Sequence, residues 1–318
     1  MDKIYEGRKD FVTYLKLSRP DYKLYNTVSG RTPFSIEYQT RVPFLLEDRS
    51  FPSVVGTAFD YLARFMVATV IKDNKEDVFK DLVAFKGLNS FEGEIKKEFT
   101  KHYEDALEII KIYIHDEDEI SLTDVTRICC FLARLEHCSR TSWIPNEEEI
   151  HYLRKENRRV VNEVNMMGVV FYEEFIVKKM VKTDSIVIYN PSFGVCSKKL
   201  KGADGDIFID GVLWDFKTTK MVIRKWQDET QMWQYLVYDN TCKLINDQTA
   251  SLFKYKIKAL AFYKARFGEI EYLKIKDINI KQLYAVSRTM VATLENIDSS
   301  RTIDEALQKT NRNQIFIE

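Results

Sequence analysis

The stretch GADGDIFIDGVLWDFKTTK, residues 202–220, decides how this chain reads. Two apolar runs, 207–209 and 212–214, flank Asp210-Gly211, the pair favoured in a two-residue type I′ turn. The turn predicts a β-hairpin and sets its register. Ile209 stands opposite Val212, Phe208 opposite Leu213, Ile207 opposite Trp214 and Asp206 opposite Asp215, with Asp204 opposite Lys217 one step further. Side chains alternate along a strand, so Asp204, Asp206, Leu213, Asp215 and Lys217 share one face. Directly opposed like charges destabilise a sheet, because their β-carbons sit only roughly 4.5–5.5 Å apart. The Asp206–Asp215 pair therefore calls for compensation, and a divalent cation such as Mg²⁺ prefers carboxylate ligands. The alternative is an ordinary wet hairpin face studded with solvated charges.

Asp215-Phe216-Lys217 is followed by Thr218 and Thr219, and then by Gln231-Met232-Trp233-Gln234-Tyr235. An acid, a tight turn, an apolar strand, D-x-K-T and Q-x-x-x-Y in this order resemble the PD-(D/E)XK nuclease superfamily, in its RecB-type exonuclease-like branch. The resemblance implies an α/β (α+β) fold with a restriction-endonuclease-like core: a mixed β-sheet flanked by helices, over roughly residues 155–290. It implies Mg²⁺-dependent hydrolysis of DNA phosphodiesters, with Mn²⁺ as a substitute and single-stranded or duplex ends as substrate. Asp206 and Asp215 would hold the metal and Lys217 would be the catalytic lysine, with Gln231 and Tyr235 looking toward the site. Asp204 shares the face as a ligand, a partner for Lys217 or a turn residue, and register ranks Asp206 above it. Such nucleases draw one more acid from the preceding helix, where Glu173 and Glu174 lie beside the apolar stripe of Met167, Val170 and Phe171, and Glu163 fits the same stripe earlier. The branch also carries an upstream G-x-x-x-H. Here Gly56-Thr57-Ala58-Phe59-Asp60 puts Asp60 in the histidine's place, and an aspartate can bind Mg²⁺ in its stead.

Each of these residues has a plainer reading. The glutamates suit an amphipathic helix with a misdrawn boundary, and Tyr235, beside Met232, Trp233 and Leu236, suits a core aromatic. Lys220, Arg224 and Lys225 could meet backbone phosphates or form a solvated charged face. A retained nuclease fold without activity, binding nucleic acid or serving in an assembly, is the alternative function.

Composition bounds the rest. Apolar residues make up 45% of 318, enough for a sizeable core. Basic and acidic residues balance at 48 each, unlike a sequence-independent duplex binder. Locally, residues 196–225 carry seven Lys or Arg against four Asp, a count of +3 that favours phosphates once a metal offsets the acids. Five cysteines contain no C-x-x-C, and none follows Cys242, so the iron–sulfur cluster of some RecB-type enzymes is not expected. They read as buried small hydrophobes. The start, MDKIYEGRKD, lacks an apolar core of signal-peptide length. Residues 54–71 are apolar but are interrupted by Asp60 and Arg64, so a cytoplasmic, reduced setting is the default expectation. No P-loop or G-x-G-x-x-G supports a nucleotide-driven activity.

Periodicity predicts a mainly helical region over 1–146 packed on a core over 147–318, with the boundary at Trp143-Ile144-Pro145-Asn146. Helices are expected near 53–71, 75–86, 92–114, 121–137, 147–182, 225–246, 281–296 and 302–309. Strands are expected over 185–189, in the hairpin, and over 255–263 and 269–274.

Overall fold

A computed structural model describes residues 11–46, 52–80, 82–116, 119–141, 146–200, 204–220, 226–297, 299–300 and 302–315. In chain order these form helix α1 (Phe11–Ser18), strand β1 (Asn26–Thr27), and helices α2 (Pro52–Val70), α3 (Val83–Gly87), α4 (Gly93–His115), α5 (Leu122–Thr141), α6 (Glu147–Arg154) and α7 (Arg158–Phe171). Strand β2 (Val187–Tyr189), helix α8 (Gly194–Lys199), strands β3 (Ile207–Ile209) and β4 (Val212–Lys217), and helix α9 (Trp226–Leu244) follow. Strands β5 (Ala259–Lys264) and β6 (Glu269–Lys274) and helices α10 (Ile280–Ile297) and α11 (Ile303–Ile315) complete the order.

The chain is mixed α/β: one six-stranded sheet, in the order β1-β6-β5-β4-β3-β2, lies between two layers of helices. Only β4 and β5 run parallel, joined by α9 as crossover; every other pair is antiparallel. Alternation along the strands divides the core. Ile207, Ile209, Trp214, Phe216, Ala261 and Tyr263 face α2, α5 and α7, whereas Phe208, Leu213, Leu260 and Phe262 face α1, α9 and α10. The first cluster draws on residues either side of 146, so the N-terminal helices and the sheet share one apolar core. The expected boundary at Trp143–Pro145 lies outside the described residues.

The hairpin has the predicted register, Ile207 against Trp214, Phe208 against Leu213 and Ile209 against Val212. Its turn residues, Asp210 at φ 51° and Gly211 at φ 98°, hold the left-handed conformations that a type I′ turn demands. The Asp210 carboxylate also accepts from the Ile186 amide (2.9 Å) and the Ser185 hydroxyl (2.6 Å), pinning the approach to β2 against the turn.

Helix α2 is apolar nearly all round and opens at Pro52, whose missing N–H costs nothing at a first helical position. The window Ser53–Val70 is long and apolar enough to cross a membrane by composition, but 67% of it is buried in the fold, as in a core helix. Helix α5 starts as expected: Ser121 Oγ accepts from the Asp124 amide at 3.2 Å and donates to the Asp124 carboxylate at 2.6 Å.

Three expectations need correction. The helix predicted over 147–182 is broken, because Asn157 caps a new helix by accepting from the amides of Arg159 (3.1 Å) and Val160 (3.3 Å). Beyond Phe171 the backbone loosens into a π-helical turn, Tyr172–Ile176. The predicted 75–86 helix is a 3₁₀ turn, Lys75–Phe79, and the short α3, with Asn74 at φ 59° before them. The strand predicted from 255 begins only at Ala259, since residues 250–255 are folded into turns. The N-terminal region, read as mainly helical, also lends β1 to the edge of the sheet.

Candidate active site

The site forms where β3 and β4 stop pairing. Alternation puts Asp206, Asp215 and Lys217 on the α9 face of the sheet, on the line of Phe208 and Leu213. Asp206 stands one residue before β3, and its Oδ2 accepts from the Phe216 amide at 2.6 Å. That bond carries the Asp206 carboxylate across the hairpin beside buried Asp215, which is 4% exposed. Lys217 closes on Asp215 with Nζ 2.6 Å from Oδ2, and lies 3.5 Å from Asp228 Oδ1 at the start of α9.

The charges are unbalanced. Burial, then Asp215 and Asp60, push the Asp206 carboxyl well above the usual carboxylate range, against the pull of the Phe216 amide. Burial also raises Asp215, with Asp228 adding to it and Lys217 opposing. Burial alone would lower Lys217, but Asp215, then Asp228 and Asp206, outweigh it and hold the ammonium firmly protonated.

Helix α2 brings a third carboxylate. A β-carbon on Gly56 would come within 3.5 Å of Thr218 Oγ1, so the first turn of α2 lies directly against the end of β4. One turn on, Asp60 is paired with Arg64 through Oδ2, while its Oδ1 is buried without a hydrogen-bond partner. Burial raises Asp60 to about 6, with the Arg64 charge opposing and Glu136 adding to the rise.

The other predicted residues fall as follows. Asp204 is exposed and forms an isolated bridge with Ser192 on the β2 side, while the β3–β4 pairing runs only from Ile207–Trp214 to Ile209–Val212 and does not extend to Asp204 and Lys217. Partial desolvation of the Asp204 carboxyl still raises it, with the Arg140 charge opposing. Glu173 and Glu174 stand on the π-helical turn and form ion pairs with Arg41, and Glu174 also with Lys178. Glu163 is buried against Arg266 and the Leu45 amide. Tyr235 is a core aromatic, stacked on Phe193 at 5.4 Å, whose hydroxyl accepts from Gln231 Nε2 at 2.5 Å. Burial, then Asp215 and Asp206, raise that phenol, so Tyr235 lies within the field of the aspartates. Lys220 is exposed, with its ammonium 4.9 Å from the centre of the Phe44 ring; Arg224 and Lys225 lie outside the described residues. All five cysteine thiols are buried.

Three partners escaped the sequence reading. Arg64 follows Asp60 by one helical turn, and Asp228 precedes Gln231 by three residues, so helical spacing alone could have suggested both. Lys264, on β5 beside Lys217, is buried with Nζ 3.3 Å from Glu271 Oε2 on β6. A lysine and a glutamate inside otherwise apolar strands were the signal there.

Among the described residues, no three His, Cys, Asp or Glu side chains stand close enough together to hold one metal ion. The donor set nevertheless suits a hard cation: the buried Asp60 Oδ1 is unpartnered, and Asp215 Oδ2 meets the Lys217 ammonium without a well-directed hydrogen bond. In comparisons with known proteins, no family model matches the chain, and neither a curated protein nor a solved structure matches it.

Proposed function

We propose that this chain is a Mg²⁺-dependent nuclease of the PD-(D/E)XK type that hydrolyses DNA phosphodiesters, in the manner of the RecB-type exonucleases. One observation carries the reading: Asp206 and Asp215 are held side by side at the end of a hairpin, with Lys217 on Asp215. The run α7, β2, α8, β3, β4, α9, β5, with the strands ordered β5-β4-β3-β2, supports it: apart from the short α8 it follows the helix, strand, hairpin, helix, strand order that the restriction-endonuclease-like core implies. The approach of Gly56 to Thr218, just past β4, and the action of the Asp60 charge on Asp206 support it further.

Asp206 and Asp215 would hold the metal, with Asp60 as a further ligand in place of the histidine of the family pattern. Bound there, Mg²⁺ supplies polarisation of a phosphoryl oxygen and a lowered pKa for a coordinated water. Lys217, fully protonated and steered by Asp215 and Asp228, donates to the oxygen on which negative charge develops. Gln231, exposed on α9 with its Nε2 donating to the Tyr235 hydroxyl, would look toward the substrate.

A second reading, a nucleic-acid-binding or assembly protein that keeps the fold without hydrolysis, is favoured by the separation of Asp60, Asp206 and Asp215 into less than a three-acid cluster. Cleavage of linear and single-stranded DNA in Mg²⁺ separates the two. Hydrolysis by wild type that is lost in folded Lys217→Ala and Asp215→Ala supports the nuclease; DNA affinity with no cleavage in any divalent metal supports the binding protein.

A further inference from the structure

Glu163 and Arg266 form a fully buried ion pair that the hydrolytic site does not use. The second Glu163 oxygen accepts from the Leu45 amide at 2.9 Å. Arg266 Nη1 donates to the Pro43 carbonyl at 3.1 Å and Nε to the Thr218 carbonyl at 2.5 Å, while its own carbonyl accepts from the amides of Arg41 (2.9 Å) and Val42 (3.1 Å). One buried guanidinium thus fastens loop 41–45 to the residue that follows Lys217. Burying two charges is costly, and here the loop and the strand end offset it by bonding Nε and Nη1 of Arg266 and the second oxygen of Glu163. The loop is anchored far more firmly than a connection requires.

The anchored loop displays Phe44. Its ring is 39% exposed, with the Arg266 guanidinium 5.1 Å from its centre and the Lys220 ammonium at 4.9 Å. An anchored, half-exposed aromatic beside an exposed cation and close to the strand end that carries Lys217 matches the chemistry of an unpaired nucleotide: a base to stack and a phosphate to meet. Next along the loop, Arg41 opens onto a cleft of about 450 Å³ that also holds Arg31 and Lys178, together with Glu174 and Glu269.

We propose that Phe44 is a stacking platform for an unpaired nucleobase of the strand bound at Asp206 and Asp215, with Lys220 moving from the ring to the adjoining phosphate. This rests on the nuclease reading for the strand's position, and it makes the substrate at this subsite single-stranded. Glu163 and Arg266 are positioning residues that hold the ring in place.

The test is binding of a short single-stranded oligonucleotide carrying one 2-aminopurine, with Ca²⁺ replacing Mg²⁺, by wild type, Phe44→Ala, Phe44→Leu and Phe44→Trp. A blunt duplex of the same sequence serves as control, and cleavage in Mg²⁺ is assayed on the same preparations. Phe44→Ala and Phe44→Leu are expected to bind the single strand about 5- to 150-fold more weakly and to lose the 2-aminopurine quench. Phe44→Trp should keep both, and duplex affinity should stay within about twofold. The leucine variant preserves the apolar contact without the π-face, so it answers even where alanine unsettles the loop. Single-strand affinity and quench unchanged in Phe44→Leu would overturn the platform, and if wild type still cleaves, the nuclease reading stands without it. Wild type that quenches through Phe44 but never cleaves keeps the platform and removes the hydrolytic reading. Wild type that binds no single strand removes the platform.

Discussion

Asp206 Oδ2 lies 2.6 Å from the Phe216 amide, so one backbone hydrogen bond holds two aspartates together across the hairpin. Without it Asp206 could swing to solvent and the like charges would part. The β-sheet thus enforces a crowding of charge that burial aggravates, and Lys217 offsets only part of it.

Replacing the lysine should expose that imbalance. Lys217→Met leaves Asp215 buried without its cation, so metal-free stability is expected to fall by about 3–5 kcal/mol, read by urea unfolding. Mg²⁺-dependent cleavage should fall by about 10²–10³ or more, as when one transition-state donor is removed.

Removing one of the paired charges should act the other way on stability. Asp206→Asn keeps an oxygen for the Phe216 amide and ends the repulsion with Asp215. Metal-free stability is therefore expected to rise by about 1–2 kcal/mol in the same unfolding assay, while cleavage is lost.

Asp239, four residues past Tyr235 on α9, supplies a pH signature away from the site. Burial raises its carboxyl from 3.8 to about 6, with the Lys243 charge and hydrogen bond opposing. The folded state then holds more protons than the unfolded state between these values, so this contribution is complete below pH 3.8 and is lost as pH rises through about 6. Relative to Asp239→Asn, wild type should lose about 2–3 kcal/mol over that window, measured by unfolding at a series of pH values.

The buried anchor of the loop should be fragile. Arg266→Met leaves the Glu163 carboxylate buried and unpaired, and a loss of about 3–5 kcal/mol is expected in urea unfolding. Amide exchange at Arg41, Val42 and Leu45 should quicken, since those amides bond to the pair.

What the sequence disclosed, it disclosed through local rules. Asp210-Gly211 and strict alternation set the hairpin register, and with it the meeting of Asp206 and Asp215. The uniform apolarity of α2 and the Ser121 cap placed two of the helices. The pairing of Asp204 was not legible because its partner, Ser192, lies just beyond β2, and pairing with a third strand leaves no mark in a hairpin pattern. Glu163 could not be told from a ligand, since Arg266 stands 103 residues away. Glu173 and Glu174 were drawn toward the site by an unbroken helix, whereas the π-helical turn and Arg41 hold them elsewhere. The break before α7 was legible at Asn157, a good N-cap, but the flanking periodicity masked it.

The claim that the paired aspartates form a divalent-cation site is tested most directly by the melting temperature of wild type and Asp215→Ala with and without Mn²⁺. A cation that binds only the folded chain adds about 2.7 kcal/mol at a hundredfold excess over its Kd, so wild type should melt several degrees higher in Mn²⁺ and Asp215→Ala should not. Wild type melting at the same temperature in both conditions would contradict the site.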